Sequence, residues 1–339
     1  MVEQPFSALS PVLLADELID IAFRQALKAA LIAHNKGSSL TKARKRETAR
    51  IRKAGFSLFT MVSRIVNEFP KLDDAPDFYY DLADILAGVE RLKKSLAALN
   101  WATKMVNRFT EKYIREVKKS RKTSDAADYR RIAYGRMVSI ISQISGDLEF
   151  LKDARFKLRN LPSIDTNLIT IVIAGYANVG KSTFVKQVST AKPEVKSYPF
   201  TTKGIILGHR STNLGLCQIV DTPGLLDRPI AERNRIELQA IVALKHLADV
   251  IIFIVDPSET CGYSVTRQLR LFKELSRNFP SLSFVKVLNK IDLAEKYKMC
   301  EVKKFFNDKV FETVAKDGVG VQKVFNEALK MAARNLKVI

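Results

Sequence analysis

The stretch GYANVGKS, from Gly175 to Ser182, combines residue types that can hold phosphate groups. Gly175 and Gly180 let backbone N–H groups turn toward phosphate oxygens without a Cβ atom in the way. Lys181 can reach the outer phosphates, a following helix adds partial positive charge at its N-terminus, and the Ser182 hydroxyl can bind Mg²⁺. We expect a nucleoside triphosphate here, held by Gly175, Tyr176, Ala177, Asn178, Val179, Gly180, Lys181, Ser182 and Thr183.

Two further motifs supply what a nucleotide needs beyond its phosphates. IVDTPG ends an apolar run with Asp221, whose carboxylate can hold Mg²⁺ through water, and its Gly224 offers an N–H to the third phosphate. VLNKID contains Asn289, Lys290 and Asp292. The Asp292 carboxylate can accept hydrogen bonds from N1–H and the 2-amino group of guanine, which adenine lacks. We therefore expect GTP and GDP as ligands.

The stretch YPFTTKG (198–204) carries paired threonines where a segment that senses the third phosphate is expected. We assign the Mg²⁺-binding hydroxyl to Thr202 rather than Thr201, because Thr202 is nearer the strand that starts at Gly204. The alternative is that both threonines only favour a loop. The predicted Mg²⁺ ligands are Ser182, Thr202 and Asp221.

The elements that position these residues change character near residue 160. Before it, apolar residues recur three or four positions apart, as in residues 82–99, which indicates amphipathic helices. After it, β-branched runs alternate with helical stretches, as in a doubly wound, mostly parallel sheet; the runs are residues 168–174, 204–209, 216–221, 250–256 and 282–289. We predict an α plus α/β fold: an antiparallel helical bundle over 1–162, then a P-loop GTPase domain over 163–339.

Within the bundle we expect four or five helices, because residues that favour turns interrupt the helical pattern three times. The predicted breaks are residues 34–39, 68–77 and 122–128. A helix after the phosphate loop is predicted over residues 182–190.

Basic residues recur at helical spacing twice in the first half of the chain. We call these sets the short basic row, Lys42, Arg46, Arg50 and Lys53, and the long basic row, Lys104, Arg108, Lys112, Arg115, Lys119 and Lys122. Like charges one turn apart repel, and a phosphate backbone would convert that repulsion into attraction. The rows therefore predict contact with RNA phosphates. A solvated face, an acidic protein and an anionic membrane are the alternatives.

Composition sets the class of partner. The chain has 339 residues, with 56 Lys and Arg against 36 Asp and Glu, a net charge of +20 that favours polyanions. Since no apolar run is long enough to span a bilayer, we expect no membrane span. The basic helices lack a bulky apolar face beyond what a bundle core needs, so we expect no membrane among the partners. The cysteines Cys217, Cys261 and Cys300 are too widely spaced for a metal or disulfide pattern, which indicates a reducing, cytoplasmic setting. We interpret the three histidines, His34, His209 and His246, as structural.

Three stretches together resemble the Obg-related GTPases, and among them the nucleolar GTP-binding protein 1 family: YPFTTKGIILGH, DTPGLLDRPIAERNRIELQAI and DPSETCGYS. The helical half has the length and position of that family's N-terminal bundle. Because the chain stops at Ile339, it is expected to be the compact, archaeal form. The resemblance implies a GTPase that binds the large ribosomal subunit precursor through rRNA, with ribosomal proteins nearby, and that is monomeric when free.

The resemblance also assigns residues. The last guanine-contacting motif corresponds to Val314–Lys316, where Val314 replaces a hydroxyl residue and Ala315 and Lys316 would contact the base. Ala177 stands where the family commonly has proline. Leu225 follows DTPG in place of a water-orienting glutamine, so Asn178, acting with Lys181 and Thr202 in hydrolysis, would hold K⁺; loop stabilisation is its alternative role. One of three arginines could also assist: Arg228, Arg233 or Arg235.

The function we expect is a slow GTPase that acts as a switch in large-subunit assembly and is faster on the ribosomal particle, with K⁺ as its candidate activator. Two alternatives stay open. The chain could be a placeholder on rRNA whose GTPase is nearly idle, which Leu225 and Val314 favour. It could also be a GTPase of translation or tRNA, which the helical half does not exclude.

Overall fold

The computed structural model describes residues 4–32, 37–196, 198, 204–224, 226–227, 237, 241 and 244–336. The chain divides into two compact units. The helical unit contains residues 5–74 and 86–159; the α/β unit contains Gln4, residues 75–85 and the chain from Asn160 onward. The division predicted at residue 162 did not separate residues 75–85 from the helical half.

Helices make up most of the described chain from Ala15 to Arg159, with short connections between them. This described part contains six helices rather than four or five: α1 Ala15–Ile32, α2 Ser39–Glu68, α3 Asp77–Ala87, α4 Val89–Lys119, α5 Thr123–Gln143 and α6 Ser145–Arg159. None of the described helices is long and apolar enough to cross a membrane.

Two helix boundaries differ from the predicted ones. Residues 82–99 do not form one helix, because Gly88 takes a φ of 78° and separates α3 from α4. The break predicted at 122–128 lies slightly earlier, at residues 120–122, between the end of α4 and the start of α5 at Thr123. The Asp125 carboxylate accepts the N–H of Lys122 at 3.0 Å. Asp125 thus stabilises a helix start that we had interpreted as a turn.

Close helix packing organises the helical unit around α2 and α4. A Cβ atom on Gly55 would lie 2.0 Å from Thr110 Oγ1, so the two helices approach each other closely there. The largest fully buried side chains of this unit include Leu58, Leu92, Leu99 and Met137. Burying a large apolar side chain contributes about 1.5–3 kcal/mol of folding free energy, which favours this packed arrangement over isolated helices.

The α/β unit contains a seven-stranded sheet. Its elements are β1 Ile169–Ala174, α7 Lys181–Val188, β2 Glu194–Lys196, β3 Ile205–Thr212, β4 Gly215–Asp221, β5 Val250–Val255, α8 Val265–Asn278, β6 Ser283–Asn289, α9 Lys296–Phe306, β7 Val310–Thr313 and α10 Val321–Leu336. The strand order is β2-β3-β4-β1-β5-β6-β7. Strand β3 pairs antiparallel with β2 and β4, and the other four pairings are parallel.

The predicted mostly parallel sheet is therefore confirmed, and its five predicted strands are β1, β3, β4, β5 and β6. Every residue of β1 and β5 is buried, as expected for parallel strands covered on both faces. The sequence pattern missed β2 and β7, which have three and four residues and carry charged side chains.

Tyr79 explains why α3 belongs with the α/β unit. Its buried hydroxyl lies 3.0 Å from the carbonyl of Pro162 and 2.9 Å from both the carbonyl and the N–H of Ile164. Burial raises the pKa of Tyr79 to about 12, against the hydrogen bond from Ile164, so the hydroxyl keeps its proton. The linker after Asn160 is thereby fastened to α3.

Candidate nucleotide-binding site

Five strand ends bring the predicted motifs to one edge of the sheet. Strands β4, β1, β5, β6 and β7 run parallel, so the residues that follow their carboxyl ends lie side by side. Ligands of open α/β sheets bind at that edge. The phosphate loop follows β1, Asp221 ends β4, and Asn289 ends β6.

The phosphate loop takes its shape from two glycines and one asparagine with positive φ. Gly175 has φ 139°, and a Cβ atom there would lie 2.4 Å from the carbonyl oxygen of Ile254. Gly180 has φ 103°, and a Cβ atom there would lie 2.2 Å from Asn289 Nδ2. Asn178 is exposed with φ 63°. Neighbouring backbone and side-chain atoms therefore require glycine at both positions.

The loop presents amide donors and a lysine to one space. The backbone amides of residues 177–180 donate to no acceptor among the described residues, while Phe184 N–H closes the first turn of α7 on the Gly180 carbonyl at 2.9 Å. Lys181 is buried, and its Nζ donates to the carbonyls of Gly175 and Tyr176, both at 2.8 Å. Converging amides and a held ammonium group form an anion-binding concavity.

Ser182 and Asp221 provide the predicted metal oxygens. Ser182 Oγ donates to Asp221 Oδ2 at 2.7 Å, and the other carboxylate oxygen, Oδ1, is buried without a partner. Burial raises the pKa of Asp221, although Lys181 and Ser182 oppose the shift, and burial lowers the pKa of Lys181 despite Asp221 and Asp227. A buried carboxylate with an unsatisfied oxygen beside a hydroxyl fits Mg²⁺, which prefers oxygen ligands.

Gly224 has a partner that the sequence did not indicate. Its N–H donates to Asp227 Oδ2 at 2.8 Å. Its φ is 83°, and none of the described neighbouring atoms lies within 4 Å of the position that a Cβ atom would take. The charge of Asp227 also acts on Lys181 and Asp221. A carboxylate therefore occupies the amide that we assigned to the third phosphate.

A cavity of about 260 Å³ brings the two guanine motifs together. Asp292 lies on it, is exposed, and has no ion-pair or hydrogen-bond partner among the described residues. The other lining residues are Gly180, Thr183, Thr260, Asn289, Lys290, Leu293, Val314, Ala315 and Lys316. The cavity thus adjoins the phosphate loop and offers a carboxylate acceptor.

Asn289 holds the walls of this cavity in place. Its Nδ2 donates to the Val179 carbonyl at 2.8 Å. Its Oδ1 accepts from Thr313 Oγ1 at 3.0 Å and from the N–H of Ala315 at 2.8 Å. One buried side chain therefore ties the phosphate loop to β7 and to the Val314–Lys316 turn.

The Val314–Lys316 turn lies where the sequence predicted it, with one difference in its donors. Since the N–H of Ala315 already bonds to Asn289, a backbone contact to a base would have to come from Lys316. The turn is closed by hydrogen bonds between Val314 and Val319 at 3.0 and 3.2 Å. Backbone pairing thus fixes its shape without the hydroxyl that Val314 lacks.

Asp256, after β5, is a site residue that the sequence reasoning missed. It is fully buried and accepts from Lys290 Nζ at 2.8 Å, Thr260 Oγ1 at 3.1 Å and the N–H of Cys261 at 3.0 Å. Burial raises the pKa of Asp256, but hydrogen bonds from Lys290 and Ser258 outweigh it, so that pKa lies below its ordinary value. The ion pair fixes Lys290 along the cavity wall. The sequence offered one indication of Asp256, its position at a strand end at the start of the stretch DPSETCGYS.

Several predicted residues lie outside the described part of the chain. They are His34, Thr201, Thr202, Leu225, Arg228, Arg233 and Arg235. Asn178 makes no side-chain hydrogen bond to the described residues, which does not favour its alternative role in stabilising the loop. His246 lies 3.2 Å from Asp81, a structural contact away from the cavity.

The basic rows lie in the helical unit and are only partly as predicted. All six residues of the long row are exposed, but Lys122 lies beyond the end of α4 at Lys119, so one helical face carries five of them. In the short row Lys42 and Arg46 are exposed, Lys53 is half-buried beside Phe56, and Arg50 contacts the buried carboxylate of Glu47.

Comparison with known proteins identifies the family. The NOG1 N-terminal helical domain matches residues 6–165, and the domain described as nucleolar GTP-binding protein 1 (NOG1) matches residues 235–292. The chain is 35% identical over 279 residues to nucleolar GTP-binding protein 1 of Drosophila melanogaster. The chain belongs to the nucleolar GTP-binding protein 1 family. The resemblance seen in the motifs is thereby confirmed.

The relatives in this family differ in length from the chain. It is 41% identical over 292 residues to uncharacterized protein MJ1408 of Methanocaldococcus jannaschii, covering 86% of this chain and 82% of that protein. The Drosophila match covers 82% of this chain but 43% of the relative, so the chain spans about half the length of such relatives. A crystal structure titled putative nucleolar GTP-binding protein 1 of Plasmodium falciparum covers 52% of this chain and 92% of its own, with 35% identity and a TM-score of 0.47.

Proposed function

We propose that this chain binds and hydrolyses GTP and acts as a switch in assembly of the large ribosomal subunit. The observation that carries the first part is the single edge of the sheet at which the phosphate loop, Asp221 and the Asn289–Asp292 motif meet. Each motif alone is short. Asp221 bonds to Ser182 of the loop, and the loop meets the Asn289–Asp292 motif around one cavity. This arrangement, in a member of a GTP-binding protein family, supports a guanine nucleotide.

Guanine selection would come from Asp292. Its carboxylate, without a partner in the described part of the chain, lies on the cavity beside the phosphate loop, where it can accept from two donors that adenine lacks. Asn289 would act indirectly, because its hydrogen bonds hold Val179 and Ala315. Lys290, with its ammonium group fixed on Asp256, would contribute its aliphatic stem as one wall.

Hydrolysis would rely on the phosphate loop. Lys181 and the loop amides would hold the phosphates, and Ser182, Asp221 and Thr202 would hold Mg²⁺, which neutralises phosphate charge. Leu225 cannot orient water, so we expect slow turnover in the isolated protein. Exposed Asn178 is our proposed K⁺ ligand, at the rim of the loop.

Contact with rRNA would come from the helical unit. The long row places five exposed cations on one face of α4: Lys104, Arg108, Lys112, Arg115 and Lys119. Counterion release from RNA phosphates would favour binding there without base recognition. We propose that the chain acts as a monomer in the cytoplasm, timed by GTP, on the large-subunit precursor and its rRNA, with ribosomal proteins as further neighbours.

A nearly idle GTPase that serves as a placeholder is the second candidate, favoured by Val314 in place of a hydroxyl residue. Its turnover on large subunits would equal that of the isolated chain. The switch instead requires turnover to rise on the particle, so the two differ in one rate measurement. A translation or tRNA GTPase would differ in the size of the RNA it retains.

The test is co-sedimentation with purified large ribosomal subunits, in GDP and in a non-hydrolysable GTP analogue, at two salt concentrations. One variant reverses four charges of the long row: Lys104→Glu, Arg108→Glu, Lys112→Glu and Arg115→Glu. The matched control reverses four exposed lysines of α9 and α10: Lys296→Glu, Lys304→Glu, Lys323→Glu and Lys330→Glu.

The proposal expects salt-sensitive binding that needs the GTP analogue and is lost in the long-row variant alone. Equal loss of binding in both variants would show that binding depends on the net charge of the chain and not on the long basic row. Binding that ignores nucleotide, salt and both charge reversals would refute the switch and direct attention to protein partners or another RNA.

A further inference from the structure

Three arginines of the helical unit surround one buried carboxylate. Glu47 on α2 is 1% exposed, and its oxygens lie 3.1 Å from Arg46 Nε, 3.3 Å from an Arg50 terminal nitrogen and 2.8 Å from Arg130 Nε on α5. We call these four residues the Glu47 cluster. One carboxylate neutralises one arginine, so the cluster carries about two uncompensated positive charges, which repel each other.

The cluster also has an excess of hydrogen-bond donors. Six buried side-chain polar atoms of the described residues have no hydrogen-bond partner, and two belong to the cluster: Arg50 Nε and Arg130 Nε. A third, Tyr134 Oη, belongs to the ring that the Arg130 guanidinium lies over. Arg130 Nε is within ion-pair distance of Glu47 but makes no hydrogen bond to it. Burial raises the pKa of Tyr134 to about 12, although Arg130 and Arg50 lower it, so its hydroxyl stays a donor at neutral pH. A buried donor without a partner calls for a water molecule, an ion or a ligand to complete it.

The cluster is closed on the side of Glu47 and open on the other. The side chains of Arg50 and Arg130 are 23% and 21% exposed, and that of Arg46 is 55% exposed. Each guanidinium thus keeps outward N–H groups while Glu47 restrains its orientation. A planar guanidinium fork held in this way suits a group with several acceptor oxygens, and little further side-chain entropy is lost on binding.

We propose that the Glu47 cluster is a clamp for one phosphate group of an RNA backbone. A phosphate offers several oxygens to the three arginines, and its negative charge offsets the cluster's excess. Lys42 lies one turn before Arg46 and Lys53 follows Arg50, so the clamp continues a line of cations along α2. The proposal rests on the RNA-binding part of the proposed function and adds Arg130, which the sequence did not indicate.

The test compares two neighbouring arginines of α5. Arg130→Gln removes a clamp residue, whereas Arg131→Gln removes the same charge from a side chain that is 73% exposed and paired with Asp128. Full-length protein with a GTP analogue is titrated against purified large subunits and against a fluorescent oligouridylate of about 12 nucleotides, over a range of salt. We expect Arg130→Gln to weaken both about tenfold and to lower the salt slope by about one, and Arg131→Gln to change affinity less than threefold.

Arg130→Lys separates the clamp from charge and folding effects. It keeps the positive charge but loses the fork, so the clamp predicts weakened RNA binding in a variant that circular dichroism shows to be folded. Wild-type affinity of Arg130→Lys, together with equal effects of the two glutamine variants, would overturn the clamp. Arg130-dependent binding to oligouridylate without binding to subunits would support the clamp and refute the ribosomal role. Wild-type protein that binds neither RNA would refute both.

Discussion

Asn289 Nδ2 donates a hydrogen bond to the carbonyl of Val179 at 2.8 Å, and this contact joins the last residue of β6 to the phosphate loop. The two residues are 110 positions apart in the chain. The same asparagine also holds β7 and the Val314–Lys316 turn through its oxygen. Phosphate binding and base binding therefore depend on one buried amide.

Replacing Asn289 with alanine should disturb both parts of the site. Three hydrogen-bonding groups lose a buried partner, so we expect the free energy of unfolding to fall by about 3 kcal/mol and the affinity for GDP to fall at least tenfold. Thermal melting and titration with a fluorescent GDP analogue measure the two effects. Asn326→Ala, at an exposed position of α10, is the control and should behave like wild type. Unchanged GDP affinity in a folded Asn289→Ala variant would contradict this role.

Gly180 and Gly215 offer a matched test of the phosphate loop. Their φ angles are 103° and 102°, so alanine strains the backbone equally, by about 1–2 kcal/mol. A Cβ atom at Gly180 would collide with Asn289, whereas none of the neighbouring atoms at Gly215 lies within 4 Å. Gly180→Ala should therefore abolish nucleotide binding, and Gly215→Ala should keep it with a modestly lower melting temperature. Calorimetric titration with GDP decides, and equal binding by both variants would show that the close contact is unimportant.

Asp227 should set the preference between GTP and GDP. Its carboxylate accepts the Gly224 N–H and adds negative charge near Lys181 and Asp221. The third phosphate of GTP must displace this carboxylate from the Gly224 N–H and is repelled by its negative charge. Asp227→Asn should raise affinity for a GTP analogue relative to GDP about five- to tenfold, since one like charge near a protein surface contributes about 1 kcal/mol or more. The control is Asp128→Asn on α5. The idea fails if both nucleotides gain affinity equally in Asp227→Asn.

The Lys290–Asp256 ion pair should appear in the acid stability of the protein. Because the pKa of folded Asp256 is lowered, its stabilisation is present above the unfolded value of about 4 and is lost as pH falls through the folded pKa. Lys290→Ala removes the hydrogen bond and the charge that lower the folded pKa of Asp256, so that pKa rises and the variant should lose less stability than wild type as the pH falls below about 4. At neutral pH, the free energy of unfolding of the variant should be about 3 kcal/mol lower than that of wild type, because a buried carboxylate loses its cation.

Melting curves from pH 7 to about pH 2.5 test this, with Lys296→Ala as the control at an exposed lysine outside any described ion pair. The two curves should converge in acid, and a separation between wild type and Lys290→Ala that stays constant or is absent at every pH would contradict this role of the ion pair.

Local rules allowed the sequence to determine the motifs, the fold class and the family. Glycines at fixed spacing, a lysine after them and a buried strand before them leave few conformations open, so Gly175–Ser182 was predictable as a phosphate loop. Parallel strands share one carboxyl edge, which was enough to bring Asp221 and Asn289 to it. Helix ends were less predictable, because Gly88 and Asp125 act through single backbone angles and hydrogen bonds.

Only the tertiary structure decided which distant side chains act together. Arg130 meets Glu47 through the packing of α5 on α2, and Lys290 meets Asp256 across two neighbouring strand ends. Neither pairing produces a periodic pattern or a fixed spacing in the sequence. Each depends on how two separate elements pack against each other, which residue spacing alone does not determine. The sequence determined that the chain carries a phosphate loop and basic helices; the packed structure decided which amide joins the walls of the site and which arginines share a carboxylate.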